Sequence, residues 1–212
     1  MKYFDLVNKC LVELNYKQVN KFTELTKNDH KKIKNILSLI NIEVCNLENW
    51  DFKIRKTEIK LPANTSEIEN PINGRIASII IDGHVYKYHP IVEDFQLQKA
   101  PAFSYGIFNN KLILPKFNTN KNLNIIYYTA NSAKNNQGKE KALLELEDDE
   151  TLIPSAFAEP ILIYGTCLRL KANPQHVKFS YWLSMYNQAI ANMKSRISID
   201  ANHAPTVVMH RF

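Results

Sequence analysis

Residues 41–62, "NIEVCNLENWDFKIRKTEIKLP", change period in mid-stretch. Through Leu47 the apolar residues recur at helical spacing. From Trp50 they alternate, with Phe52 and Ile54 and then Ile59 and Leu61, and Pro62 stops the run. No Gly or Pro separates the two periods, so a helix hands over directly to a strand. Trp50 is expected to plug that junction with Phe52 beside it, its ring serving the cores on both sides while its N–H finds a partner.

Upstream, Phe4, Val7, Leu11 and Leu14 form one stripe of a first helix. Thr26, Asn28 and Asp29 offer caps for a second helix, whose stripe is Ile33, Ile36, Leu37, Ile40, Val44 and Leu47. Lys31, Lys32 and Lys34 lie mostly off that stripe and read as a solvated face.

Downstream to about Thr129 the signals are β. Asp82-Gly83 and Asn109-Asn110 each separate two strand-favouring arms, the pattern of a hairpin. Prolines at 62, 71, 90, 101 and 115 fall between the runs, where they protect edges. Residues 131–150 are polar and charged. Helical spacing returns with Phe157, Ile161, Tyr164 and Leu168, with Pro154 and Pro160 expected in or just before the first turns. Asn173-Pro174 reads as the start of a last helix with the stripe Phe179, Trp182, Tyr186, Ala189, Met193 and Ile197.

The expected fold is α+β: an antiparallel four-helix bundle built from both chain ends (1–49 and 151–198), with an inserted antiparallel β module (50–130). A polar connector (131–150) and an extended C-terminal tail (199–212) complete it.

Composition narrows the function. The chain has 212 residues, 45% hydrophobic and 23% charged, which is globular usage. Its formal charge of +6 comes mostly from dispersed Lys, which implies mild polyanion affinity without specific recognition. Cys10, Cys45 and Cys167 adjoin apolar residues and form no CxxC, so they read as reduced core thiols. Asp5, Asn8 and Glu13 interrupt the apolar start, unlike a signal peptide. No run reaches the ~18 apolar residues of a membrane span, so no membrane partner is expected.

The chemistry-bearing residues do not converge. His84 and His89 are five apart in a strand-like run and point to opposite faces. His30, His176, His203 and His210 have no ligand-spaced neighbours. The acidic run Glu145, Glu147, Asp148, Asp149 and Glu150 lacks a calcium-loop glycine and reads as a solvated loop leading into a helix. GxSxG, HExxH and a phosphate-binding glycine loop are absent. The expectation is no enzyme, no metal and no cofactor. Tyr86, Tyr88, Tyr105, Tyr127 and Tyr128 stud the strands and read as cross-strand pairs, with base stacking as the alternative.

The order of elements resembles the head-to-tail adaptor proteins of tailed bacteriophages, the tail tubular protein A or gatekeeper group of short-tailed phages above all. The resemblance lies in the N-terminal helix pair, Trp50-Asp51-Phe52 with Leu61-Pro62 downstream, and "APAFSYGIFNNKLILPKF". It continues in "LIPSAFAEPILIYGTCLRLK" and the aromatic-rich "FSYWLSMYNQAIANMKSRI". It implies a structural virion protein, made in the host bacterial cytoplasm and located at the portal vertex. Such adaptors form a ring, commonly of twelve copies, joining the portal protein to the next tail or nozzle protein. Genomic DNA passes through without sequence-specific binding.

Within that reading the last helix has a second face, Val177, Tyr181 and Met185, expected to meet a neighbouring copy. The tail residues Thr206, Val207, Val208, Met209, His210, Arg211 and Phe212 are expected to add a strand to a partner, most naturally the portal. Another ring or nozzle protein of the phage neck, a single-stranded nucleic-acid-binding module and a small hydrolase are the alternatives.

Overall fold

The structure, a computed structural model, describes residues 1–198. The chain opens with helices α1 (Tyr3–Glu13) and α2 (Asn28–Leu47), with a 3-10 turn at Phe22–Glu24 between them. Strands β1 (Ile54–Leu61), β2 (Glu67–Glu69), β3 (Gly74–Ile81) and β4 (His84–Tyr88) follow. Then come the one-turn helix α3 (Glu93–Gln96) and strands β5 (Ser104–Phe108), β6 (Lys111–Ile113) and β7 (Lys121–Thr129). Three two-residue strands, β8 (Ala133–Lys134), β9 (Glu140–Lys141) and β10 (Glu150–Thr151), precede α4 (Ser155–Leu170) and α5 (Phe179–Ile197). These elements form two compact units, one being Ile54–Ala130 and the other Met1–Lys53 with the described part of Asn131–Phe212.

The expected four-helix bundle from both chain ends does not form. In the helical unit α4 is a hub: α1, α2 and α5 each pack on it and α1 touches α2, while α5 packs far less along α1 and α2 and is joined to them at their ends. The reason is in the α4 sequence. Ala158, Ile161, Leu162, Ile163, Gly165, Thr166 and Cys167 are all buried, so this helix is enclosed on several sides rather than along one stripe. Gly165 is the point of closest approach. A Cβ there would lie 2.9 Å from the Tyr186 ring on α5 and 3.3 Å from Ile40 on α2. Pro160 is the sixth residue of α4, in its second turn, and it deprives the exposed Ala156 carbonyl of its helical partner.

Residues 131–150, expected as a polar connector, instead carry β8 and β9 and lead into β10; the three strands pair in the order β10-β8-β9. Their polar residues have distant partners. Asn41 on α2 donates from Nδ2 to the Ser132 carbonyl at 2.9 Å and to Ser132 Oγ at 3.0 Å, and its Oδ1 accepts from Thr151 Oγ1 at 2.5 Å. Asp149 is 1% exposed; one carboxylate oxygen accepts from Lys141 Nζ at 2.9 Å and from the N–H groups of Glu145 and Leu146 at 2.7 Å each. Burial alone would raise this carboxyl; the Lys141 ammonium and the two N–H donors outweigh that and hold it below its ordinary value.

The second unit is a seven-stranded sheet curled into a half-barrel, in the order β1-β7-β3-β4-β5-β6-β2. It is mixed rather than antiparallel throughout, because β4 and β5 run parallel. Residues 89–103, with α3 among them, are long enough to carry the chain back so that β5 starts at the same end as β4. Both expected hairpins form. Asp82 and Gly83 have φ of 52° and 79°, and Asn109 and Asn110 have 47° and 59°, which are the two left-handed positions of a type I′ turn. The sheet begins at Ile54, not at Trp50. Its core gathers Leu61, Ile79, Ile81, Leu123 and Ile125 on one face of β1, β7 and β3. Gly74 opens β3 with φ +156°, and a Cβ there would lie 2.0 Å from the Tyr128 carbonyl oxygen.

Candidate oligomerisation face

One face of α5 is tied into the helical unit. Trp182, Ala189 and Met193 are buried. Trp182 Nε1 donates to Glu13 Oε1 at 2.8 Å, and the His176 ring stacks on the indole at 5.0 Å between centroids. Lys178 Nζ donates to the Glu13 carbonyl at 2.9 Å and lies 3.3 Å from its carboxylate. The end of α1 therefore clamps the start of α5.

The start of α5 corrects one expectation. The helix begins at Phe179, because residues after Asn173-Pro174 form turns with His176 N–H donating to the Asn173 carbonyl and Phe179 N–H to the His176 carbonyl. Val177 thus precedes the helix and is 94% exposed instead of belonging to a helix face.

Tyr181 and Met185 do lie on the helix, one turn apart, away from the Trp182 stripe. Tyr181 is 48% exposed, and its ring meets that of Tyr164 on α4 edge-on at 5.6 Å, with the hydroxyls 3.3 Å apart. The Tyr181 hydroxyl, with some help from burial, pushes the Tyr164 phenol up to about 12. Met185 is half-buried and lines two adjoining grooves. One, of about 500 Å³, lies between α1 and α4, with Lys9, Val12, Glu159 and Tyr164 on its walls. The other, of about 330 Å³, continues beside Phe157, Gln188, Asn192 and Arg196. Ala156, Pro160 and Met185 line both, so the two grooves form one trough along α4 and α5. Lys9 Nζ and Glu159 Oε2, 2.5 Å apart, bridge its wall. Apolar Val12, Pro160, Ile163 and Met185 stand among charged Lys9, Glu13 and Glu159, a mixture that suits a protein surface. Ala156 and Pro160 were missed in the sequence, where a proline inside an apolar helical run was the available signal.

Trp50 is fully buried in the core of the helical unit, its Nε1 donating to the Val44 carbonyl at 2.6 Å. Phe52 stacks on it at 5.9 Å with 14° between the planes, and the Trp50 backbone bridges to Ser198. The tail residues 206–212 lie outside the described residues. His84 stacks on Phe103 at 4.6 Å, while His89 Nε2 meets Asp94 Oδ2 at 2.7 Å. Among the described residues no group of three or more His, Cys, Asp or Glu side chains could hold a metal, and no helix is long and apolar enough to cross a membrane. No protein-family model matches the chain, and no curated protein does.

Proposed function

We propose that the chain is a structural protein of a tailed-phage neck, an adaptor that packs side by side with copies of itself into a ring under the portal and joins head to tail. The observation that carries this reading is the trough along α4 and α5, where Ala156, Pro160 and Met185 lie beside the Lys9–Glu159 pair, together with the exposed Tyr181 one helical turn before Met185. A ring needs one such surface on each subunit, meeting a different surface on the next copy. In this reading residues 206–212 reach the portal, and DNA passes down the central channel.

The test is electron microscopy of the purified chain mixed with the portal protein encoded beside it. A closed ring docked on the portal is expected, with Met185→Arg losing the ring at unchanged melting temperature. Deleting residues 204–212 should lower portal occupancy. A chain that stays monomeric on portals, or a ring that forms equally well with Met185→Arg, sinks the proposal; tight binding of single-stranded oligonucleotide by that monomer would favour the alternative module.

A further inference from the structure

Residues 17–34 of the helical unit hold six lysines, at 17, 21, 27, 31, 32 and 34, against two carboxylates, Glu24 and Asp29. That balance of +4 is two-thirds of the formal +6 in less than a tenth of the length, so the positive charge is more concentrated than the spread of lysines along the chain implies. Lys17, Lys21, Lys27, Lys31 and Lys32 are exposed. Among the described residues none of the five forms an ion pair, although the chain pairs Lys9, Lys111, Lys121, Lys141 and Lys194 with carboxylates elsewhere.

The placement works against the local fold. Lys27, Lys31 and Lys32 stand at the N-terminal end of α2, where the helix dipole disfavours cations, and Lys27 and Lys31 repel each other at i,i+4. A solvated face needs no such arrangement, since Glu at these positions would serve solubility and stabilise the helix as well. The loop and helix are also held together: Lys34 Nζ sits 4.8 Å over the Phe22 ring, next to Lys21, and the Tyr3 hydroxyl donates to the Lys34 carbonyl at 2.8 Å. The positive charge is therefore mounted on a fixed support. A local conflict of this kind marks a surface shaped for a partner.

We infer that this lysine patch binds the phosphate backbone of duplex DNA without reading its sequence. Lys27 and Lys31 are one turn apart, about 6 Å along the helix, a spacing comparable to the roughly 6.8 Å of duplex axis that two phosphate steps of one strand cover. The exposed neighbours Asn28 and Asn35 offer hydrogen bonds to a backbone, and the first exposed apolar side chain on α2, Leu39, lies about two turns beyond Lys31 and Lys32, where an interfacial helix would carry apolar residues alongside its lysines. The inference goes beyond the adaptor reading and stands without it, because it concerns the single chain.

The experiment is fluorescence anisotropy of a labelled 20-base-pair duplex titrated with the full chain between 50 and 200 mM salt. Five lysine–phosphate contacts predict that affinity falls about 500-fold over that range. In Lys27→Gln/Lys31→Gln/Lys32→Gln the fall should shrink to about tenfold, with weaker binding at 50 mM and an unchanged circular-dichroism melt. The control Lys56→Gln/Lys60→Gln/Lys116→Gln removes the same charge from exposed sites of the other unit and should keep the wild-type slope. Equal loss in both triple variants would mean net charge alone and overturn the patch. So would no duplex binding at 50 mM, or binding only to vesicles containing phosphatidylserine.

Discussion

Thr151 Oγ1 and Asn41 Oδ1 are 2.5 Å apart, although 110 positions separate them in the chain. The pair joins β10 to the middle of α2, both groups being buried, and Asn41 continues the network to Ser132 at the start of the small sheet. Asn41→Ala would leave the Thr151 hydroxyl and the Ser132 groups without this partner, so a loss of roughly 2–4 kcal/mol is expected. Urea melts of Asn41→Ala, Thr151→Val and the double variant should be non-additive by more than about 0.5 kcal/mol. Strict additivity would show that the two side chains act separately.

Trp50 fills the core of the helical unit and donates to the Val44 carbonyl. Trp50→Ala should destabilise by about 3–5 kcal/mol, and Trp50→Phe by less, since it keeps most of the ring volume. Thermal denaturation followed at 222 nm measures both; an unchanged midpoint for Trp50→Ala would contradict the observed burial.

Asp149 gives the helical unit an acid sensitivity. Its carboxyl is held below the ordinary value of about 4. The stability it contributes is therefore complete above that pH and is lost as pH falls through the lower folded value. Asp149→Asn should cost about 1.5–3 kcal/mol at pH 7, and the gap between wild type and variant should close below pH 4. A gap constant from pH 7 to pH 2 would show that the ionised form is not what matters.

The thiols should be inert in the native state. Burial, opposed a little by Lys53, pushes Cys45 up to about 12, and burial raises Cys10 as well. All three cysteines are buried. With Ellman's reagent at pH 8, slow labelling is expected before denaturation and three equivalents afterwards. Rapid native labelling of any one would show that its helix opens readily.

Local signals in the sequence were legible where the structure uses them locally. The stripes of α1, α2 and α5 stand out because period says which face is buried, although Leu47 at the end of the α2 stripe is 48% exposed; the two hairpins do because left-handed turn positions select Asp-Gly and Asn-Asn. A stripe does not say against what it packs, which is why α4 as a hub was hidden behind a bundle. The parallel β4–β5 pair depends on a crossover, and the fold of residues 131–150 depends on Asn41, far away in the chain. At the candidate face, the spacing of Tyr181 and Met185 was readable from helical period. Val177 was misplaced because Asn173-Pro174 starts turns rather than the helix itself.

The hub position of α4 also sets an order of events during synthesis. Its last residue leaves the ribosome roughly 120 residues after the end of α2, which at 5–20 residues per second is a delay of about 6–25 s. Throughout that interval the apolar stripes of α1 and α2 have each other but not their main partner. The second unit is contiguous in the chain and has all its strands by Thr129, so it can complete its sheet while the helices wait. Nascent chains halted once that strand has cleared the ribosomal exit tunnel, with α4 still inside it, should therefore resist protease in the sheet while the helices ahead of it remain cleavable, and a chaperone that covers exposed apolar helices would find its substrate there.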